Sequence, residues 1–158
     1  MFTWSYSQWQ ANQARENEDR LQARRLHLEV VTRVRSVFNL LDNAQNAEHF
    51  FAAISILDNP KLGNFSSSVF PEFRNRPVRS LLWELSLIGE KRRRYVLPHA
   101  ITAAEEISDE YQKAVLKLNS EPGFRDKPVP KEEDKKLRGL LLKIMKSLGF
   151  VREIHLED

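Results

Sequence analysis

The chain has 158 residues and no cysteine, and 41% of its residues are hydrophobic and 30% charged. This length fits one domain, 1–158, whose core is large enough to be stable without disulfides. The lack of cysteine excludes disulfides, thiolate zinc sites and iron–sulfur clusters. The formal net charge of +3 weakly favours anionic partners. We expect a soluble, cytoplasmic protein without a membrane span, because no apolar run approaches the roughly 18 residues of a spanning helix and no secretion-signal pattern is present.

A long first helix is predicted from about Ser5 to Asp42, because this stretch contains neither glycine nor proline. Its second half carries apolar residues at spacings that include several threes and fours, which predicts one buried face. These residues are Leu21, Leu28, Val31, Val34, Phe38 and Leu41. The stretch 10–25 consists of good helix formers with little to bury. We therefore predict that residues 1–25 project beyond the core.

Four further helices are predicted, over 44–57, 77–93, 98–118 and 131–148. Asn43 is the expected N-cap of the second helix, and Pro77 opens the third. The buried faces of the third and fourth helices include Leu82 and Ile107. Residues 119–130 form a proline-rich loop.

The C-terminal part of the chain, 131–158, is expected to be a helix followed by a tail. Gly149 is the expected C-terminal cap of this helix. The alternation over 150–156 predicts one short strand. The fold class is thus all-α: an irregular bundle of about five helices with a long projecting N-terminal helix.

Four aromatic residues lie unusually close to the N-terminus: Phe2, Trp4, Tyr6 and Trp9. Large exposed aromatics are typical of protein interfaces and of membrane-surface anchors. Three interpretations stay open: contact with a protein partner or a second copy, packing on the chain's own core, and contact with a membrane surface. We predict a non-catalytic interaction or assembly module that forms a homo-oligomer, or binds a protein partner, through its first helix.

The strongest cluster of positive charge is Lys91, Arg92, Arg93 and Arg94, preceded by Arg74, Arg76 and Arg79. Such a cluster can neutralise phosphates, so an RNA- or DNA-binding protein is the alternative function. The competing interpretation is that the cations of 91–94 lie at the C-terminal end of the third helix and offset its negative dipole.

Arg94 and His99 are separated by four residues, and this R-x4-H spacing resembles the ribonuclease motif of HEPN domains. The resemblance implies a small, all-helical, dimeric domain in which Arg94 and His99 form a composite site for cutting RNA. It covers six residues, and Tyr95 replaces the polar residue usual after the arginine. The pattern allows four to six intervening residues, so the interval from Arg20 to His27 also fits it. No P-loop, dinucleotide-binding or serine-hydrolase motif is present. We expect no cofactor and no metal, and a non-catalytic role is favoured over an enzyme.

Overall fold

Five α-helices make up most of the described chain in a computed structural model. This structure describes the backbone of residues 2–58, 69–88 and 97–157, and the side chains of 5–58, 69–88 and 98–148. The helices are α1 (Phe2–Asp42), α2 (Ala47–Asp58), α3 (Val78–Leu87), α4 (Leu97–Ser120) and α5 (Lys131–Glu157). No strand occurs among the described residues. The predicted all-α bundle with a long N-terminal helix is confirmed.

The core is a single hydrophobic cluster to which all five helices contribute. α1 packs against α2, α3 and α5, and α4 packs along α5 and against α2 and α3. Leu82 of α3 and Ile107 of α4 are 0% and 2% exposed, so both are buried as predicted. Removing these side chains from water supplies most of the free energy that holds the helices together.

The buried face of α1 differs in part from the predicted one. Its core residues are Ala23, Leu26, Val30, Val31, Val34, Val37 and Leu41. The prediction for Leu21 and Leu28 is wrong, because these side chains are 59% and 46% exposed. At 3.6 residues per turn, Leu28 lies about 200° around the helix from Val30. Leu21 and Leu28 therefore face away from the core.

The start of α2 is three residues later than predicted, at Ala47. The backbone N–H of His49 donates to Oδ1 of Asn46 at 2.9 Å, which is an N-cap hydrogen bond. Asn43 instead donates from Nδ2 to the carbonyl oxygen of Asn39 at 2.9 Å, at the C-terminal end of α1. The predicted cap at Asn43 is wrong because that side chain is engaged with the preceding helix.

The end of α3 lies at Leu87, earlier than the predicted Arg93. Ile88 has extended backbone (φ −83°, ψ 121°), and its N–H donates to the carbonyl oxygen of Leu85, which closes the last turn. No basic residue lies in that turn. The predicted end at Arg93 is therefore wrong. Residues 89–96 lie outside the described part, and the interpretation of 91–94 as cations at the helix end lies there with them.

The C-terminal helix α5 continues to Glu157, through Gly149 and the whole of 150–156. The predicted tail strand and the predicted cap at Gly149 are both wrong. Leu148, Val151 and Ile154 are three residues apart, a spacing that suits a helix as well as the alternation suited a strand. With no proline in this stretch, the helix has no strong reason to stop at the glycine.

Candidate interaction site

The N-terminal half of α1 is uncovered by the bundle. Every described side chain from Ser5 to Leu21 is exposed, and this stretch is about 25 Å long. Packing begins at the next turn: Nε2 of Gln22 donates to Oε1 of Glu84 on α3 at 3.3 Å, and Ala23 is 1% exposed. The helix therefore projects from the bundle at about Gln22. We call residues 5–21 the projecting segment.

The aromatic tip of this segment is exposed where it is described. Tyr6 and Trp9 are 59% and 57% exposed, and their rings stack with centroids 6.1 Å apart. The backbone of Phe2 and Trp4 belongs to α1, while their side chains lie outside the described part. Packing of Tyr6 and Trp9 on the chain's own core is thus contradicted. Contact with another surface stays a prediction for all four residues.

A stripe of apolar residues runs along the outward side of α1. Two of them, Leu21 and Leu28, were wrongly predicted to be buried. Ala14, Leu21 and Leu28 recur every seven residues, which keeps them on one side of a helix. All three are exposed. The angular positions of these residues around the helix axis could have identified the stripe, because Leu21 and Leu28 do not share a face with Val30 and Val34.

Charge is distributed unevenly along the same helix. Residues 2–14 carry no charged side chain at all. Arg15 comes next, and it is followed by an acidic block, with Glu16, Glu18 and Asp19, and then by a basic block, with Arg20, Arg24 and Arg25. We use these two names, acidic block and basic block, below. Their order gives the segment a direction that a partner of opposite polarity can recognise.

A buried arginine, Arg33, lies about three turns beyond the point where α1 begins to pack. The side chain of Arg33 is 0% exposed, and its Nε donates to Oε1 of Glu29 at 3.1 Å. Its two terminal nitrogens donate to the backbone carbonyl oxygens of Phe73 and Arg76. Burial lowers the pKa of Arg33, and the adjacent Glu29 carboxylate opposes this effect. All three donor nitrogens thus have partners.

The carboxylate of Glu29 completes this arrangement from the other side. It is also 0% exposed, and its Oε2 accepts hydrogen bonds from the backbone N–H groups of Val69 and Phe70 at 2.9 and 3.3 Å. The pair therefore binds four backbone groups of the segment 69–76 to α1. Buried backbone groups without a partner are costly, so this pair gives the irregular segment one defined position.

The predicted basic residues differ in exposure and in their contacts. Arg74 and Arg79 are exposed. Arg76 forms an ion pair with Glu84 and donates to Oγ of Ser80 at 2.9 Å, so its guanidinium is occupied within the chain. Lys91, Arg92, Arg93 and Arg94 lie outside the described residues.

The candidate catalytic histidine lies in the first turn of α4 and is exposed. His99 lines a shallow depression of about 320 Å³ together with Glu106, Lys143 and Lys146. Its proposed partner Arg94 lies outside the described residues, so the pairing of the two stays a prediction. Among the described side chains, no three His, Asp or Glu residues are grouped as a metal site.

A pocket that the sequence did not reveal lies between α2, α4 and α5. Its volume is about 410 Å³. Its lining includes the rings of Phe50, Phe51 and Phe124, and the ring centroids of Phe51 and Phe124 lie 5.4 Å apart. Ala114 of α4 forms part of the wall. Cavities of this size with apolar walls are typical of small-molecule sites.

Comparisons with known proteins find no match: no family model, no curated protein and no solved structure matches the chain. None of the described helices is sufficiently long and apolar to cross a membrane.

Proposed function

We propose that this chain is a non-catalytic helical assembly module that forms a homo-oligomer through the projecting segment of α1. The observation that carries the proposal is the continuous exposure of Ser5–Leu21 on a helix that the bundle does not cover. An isolated helix of this length is marginal in water, because most helical stability in proteins comes from tertiary packing. A second copy would supply that packing.

The composition of the segment supports the same proposal. Tyr6 and Trp9 present two large rings to solvent at its tip, and aromatic residues are enriched in the buried centres of interfaces. The uncharged stretch 2–14 has no ion to desolvate when it is covered. Both properties lower the cost of burying the segment against protein.

The test is the mass in solution, measured by light scattering on the purified chain and on a variant lacking residues 1–20. We expect the parent to exceed the monomer mass of 18.5 kDa. The truncated variant should be a folded monomer, because the packed part of α1 begins after the deletion. A monomeric parent, or an unchanged mass after truncation, contradicts the proposal.

A matched pair of point variants sharpens this test. Trp9 on the projecting segment and Trp83 on α3 are 57% and 59% exposed. We expect Trp9→Ser to lower the association constant and Trp83→Ser to leave it unchanged. Equal effects would indicate non-specific hydrophobic association instead of assembly through α1.

A second candidate function is binding of RNA or DNA through Lys91–Arg94. It is favoured by the exposure of Arg74 and Arg79, whose charges are accessible to an anionic partner. If Arg92, Arg93 and Arg94 contact phosphates, replacing all three with Ala should lower the log–log salt slope of binding by about 0.7 to 0.9 per lost contact. If the HEPN resemblance extends to catalysis, His99→Ala should abolish cleavage and leave binding intact. Salt-insensitive or absent binding by the parent contradicts this candidate.

A further inference from the structure

We infer that two copies of the chain pair along α1 in antiparallel orientation, with the two-fold axis passing near Leu21. This inference rests on the proposed self-association and specifies its geometry. The occupant of the outward side of α1 is thus a second α1, and each projecting segment lies along the packed half of the other copy's helix.

The position of the axis follows from the way α1 is divided into a projecting half and a packed half. α1 spans Phe2–Asp42, and it projects up to Leu21 and packs from Gln22 onward. The boundary between the two halves therefore coincides with the middle of the helix. An antiparallel pair centred there places a neighbouring helix along the whole length of each projecting segment, and it directs the two bundles to opposite ends.

The second argument is the apolar stripe. With the axis near Leu21, the Leu21 side chains of the two copies meet, and Ala14 of each copy lies level with Leu28 of the other. A small residue opposite a large one allows two helices to approach closely. Leu21 and Leu28 are 59% and 46% exposed in the single chain, and the same contact covers both.

The third argument is charge, which determines the direction. In the antiparallel pair, Glu18 of the acidic block is level with Arg24 of the basic block of the second copy, and both residues lie about 60° from Leu21 around the helix. Neither residue has an ion-pair partner among the described side chains of its own chain, and both are exposed. A parallel pair would place Glu18 beside Glu18 and Arg24 beside Arg24, and like charges in contact disfavour that orientation.

Tyr6 of the aromatic tip is also accommodated in this arrangement. Tyr6 of one copy lies level with Ser36 of the second copy and close to its Arg35, which is exposed on the outward side of α1. A guanidinium over an aromatic ring is a favourable contact. The stripe, Glu18, Arg24 and Tyr6 therefore belong to one self-complementary surface, as a two-fold interface requires.

Distances between identical residues of the two copies test the geometry. The chain has no cysteine, so a single cysteine for a spin label can be introduced at Gln8, Asn12 or Asn39, all of which are exposed. With the axis at Leu21, the separation is about 3 Å per residue of offset: about 39 Å at position 8, about 27 Å at 12 and about 54 Å at 39. A parallel pair gives similar short distances at all three positions. A tip-to-tip pair centred on the aromatics gives a longer distance at 12 than at 8.

Charge exchange provides an independent test in which the double variant is its own control. Glu18→Arg and Arg24→Glu should each lower the association constant at least several-fold, since each places like charges beside one another. The double variant Glu18→Arg/Arg24→Glu should return to near the parent value. A 1:1 mixture of the two single variants should also associate, because each supplies the charge that the other lacks. Circular dichroism checks that each variant remains folded.

The results separate the inference from the proposed function. A multimeric parent whose distances do not fall from position 8 to 12, or a double variant that is not restored, overturns the antiparallel pairing and leaves self-association standing. A monomeric parent overturns both. Distances near those given, together with restored association in the double variant, establish the pairing.

Discussion

Glu29 and Arg33 form an ion pair one turn apart on α1, and both side chains are completely buried. Between them they bind backbone groups on both sides of the 3-10 turn Pro71–Phe73. The pair therefore joins two segments that are about 40 residues apart in sequence, and it lies within the packed half of α1.

The first prediction follows from this burial. Arg33→Met should lower the free energy of unfolding by about 3–5 kcal/mol, because it leaves the Glu29 carboxylate buried without its cation. The matched control is Arg125→Met, which removes a pair with Glu48 at 3.9 Å whose side chains are 62% and 55% exposed. An exposed pair contributes about 0–1 kcal/mol. Urea unfolding of both variants measures the difference, and equal effects would mean that the pair is solvated in solution.

The second prediction concerns the core faces of α3 and α4. Leu82→Asp and Ile107→Asp should each unfold the chain or destabilise it by several kcal/mol, a large part of a typical stability of about 5–15 kcal/mol. Leu142→Asp on α5 is the control, since that side chain is 51% exposed. Thermal melts followed by circular dichroism should show a large loss for the first two variants and a small change for the third.

Particular residues show how far the sequence predicts this fold. Helix periodicity located all five helices and identified Leu82 and Ile107 as core residues, because each helix has one buried face. It failed for Leu21 and Leu28, which form a second apolar face of α1 that the spacing alone could not separate from the first. The prediction of Asn43 as the N-cap of α2 also failed, because Asn46 is an equally good capping residue three positions later.

The features of the candidate site depend on tertiary packing and could not be predicted from the sequence. A Glu and an Arg four residues apart are common on exposed helix surfaces, and only the packing of segment 69–76 over α1 makes Glu29 and Arg33 a buried pair. The pocket is formed by α2, α4, α5 and the ring of Phe124, so no single stretch of sequence encodes it. The exposure of Tyr6 and Trp9 likewise depends on where α1 leaves the bundle.

The third prediction is a pH dependence of stability. Nζ of Lys136 donates to Oε1 of Glu110 at 2.7 Å, which lowers the pKa of Glu110 and raises the pKa of Lys136. A carboxylate with a lowered folded-state pKa contributes stability above its unfolded pKa, about 4.3, and loses it as the pH falls through the folded value. The lysine's contribution is present below about pH 10.4 and is lost as the pH rises through its raised pKa.

Glu110→Gln should therefore lower the Tm at pH 7, and its difference from the parent should shrink as the pH falls below about 4. Glu105→Gln is the control on the same helix, because Glu105 is exposed and forms no ion pair among the described residues. A difference between parent and Glu110→Gln that persists unchanged at pH 3 would show that the charge of Glu110 is not its source.

The fourth prediction concerns the apolar pocket and compares two alanines of α4. Ala114 is 8% exposed and lines the pocket of about 410 Å³, whereas Ala100 is 0% exposed and does not line it. Ala114→Leu should raise the free energy of unfolding by about 0.5–2 kcal/mol, because the added carbons enter space that is already present. Ala100→Leu should lower it by about 1–3 kcal/mol, because the added carbons displace packed neighbours.

Denaturant unfolding gives both values, and fluorescence of an environment-sensitive apolar dye reports on the pocket itself. Ala114→Leu should reduce dye binding to the folded chain, since the larger side chain occupies part of the cavity. Destabilisation of both variants to the same extent would show that the pocket is closed in solution. In that event the cavity could not admit a ligand without opening first.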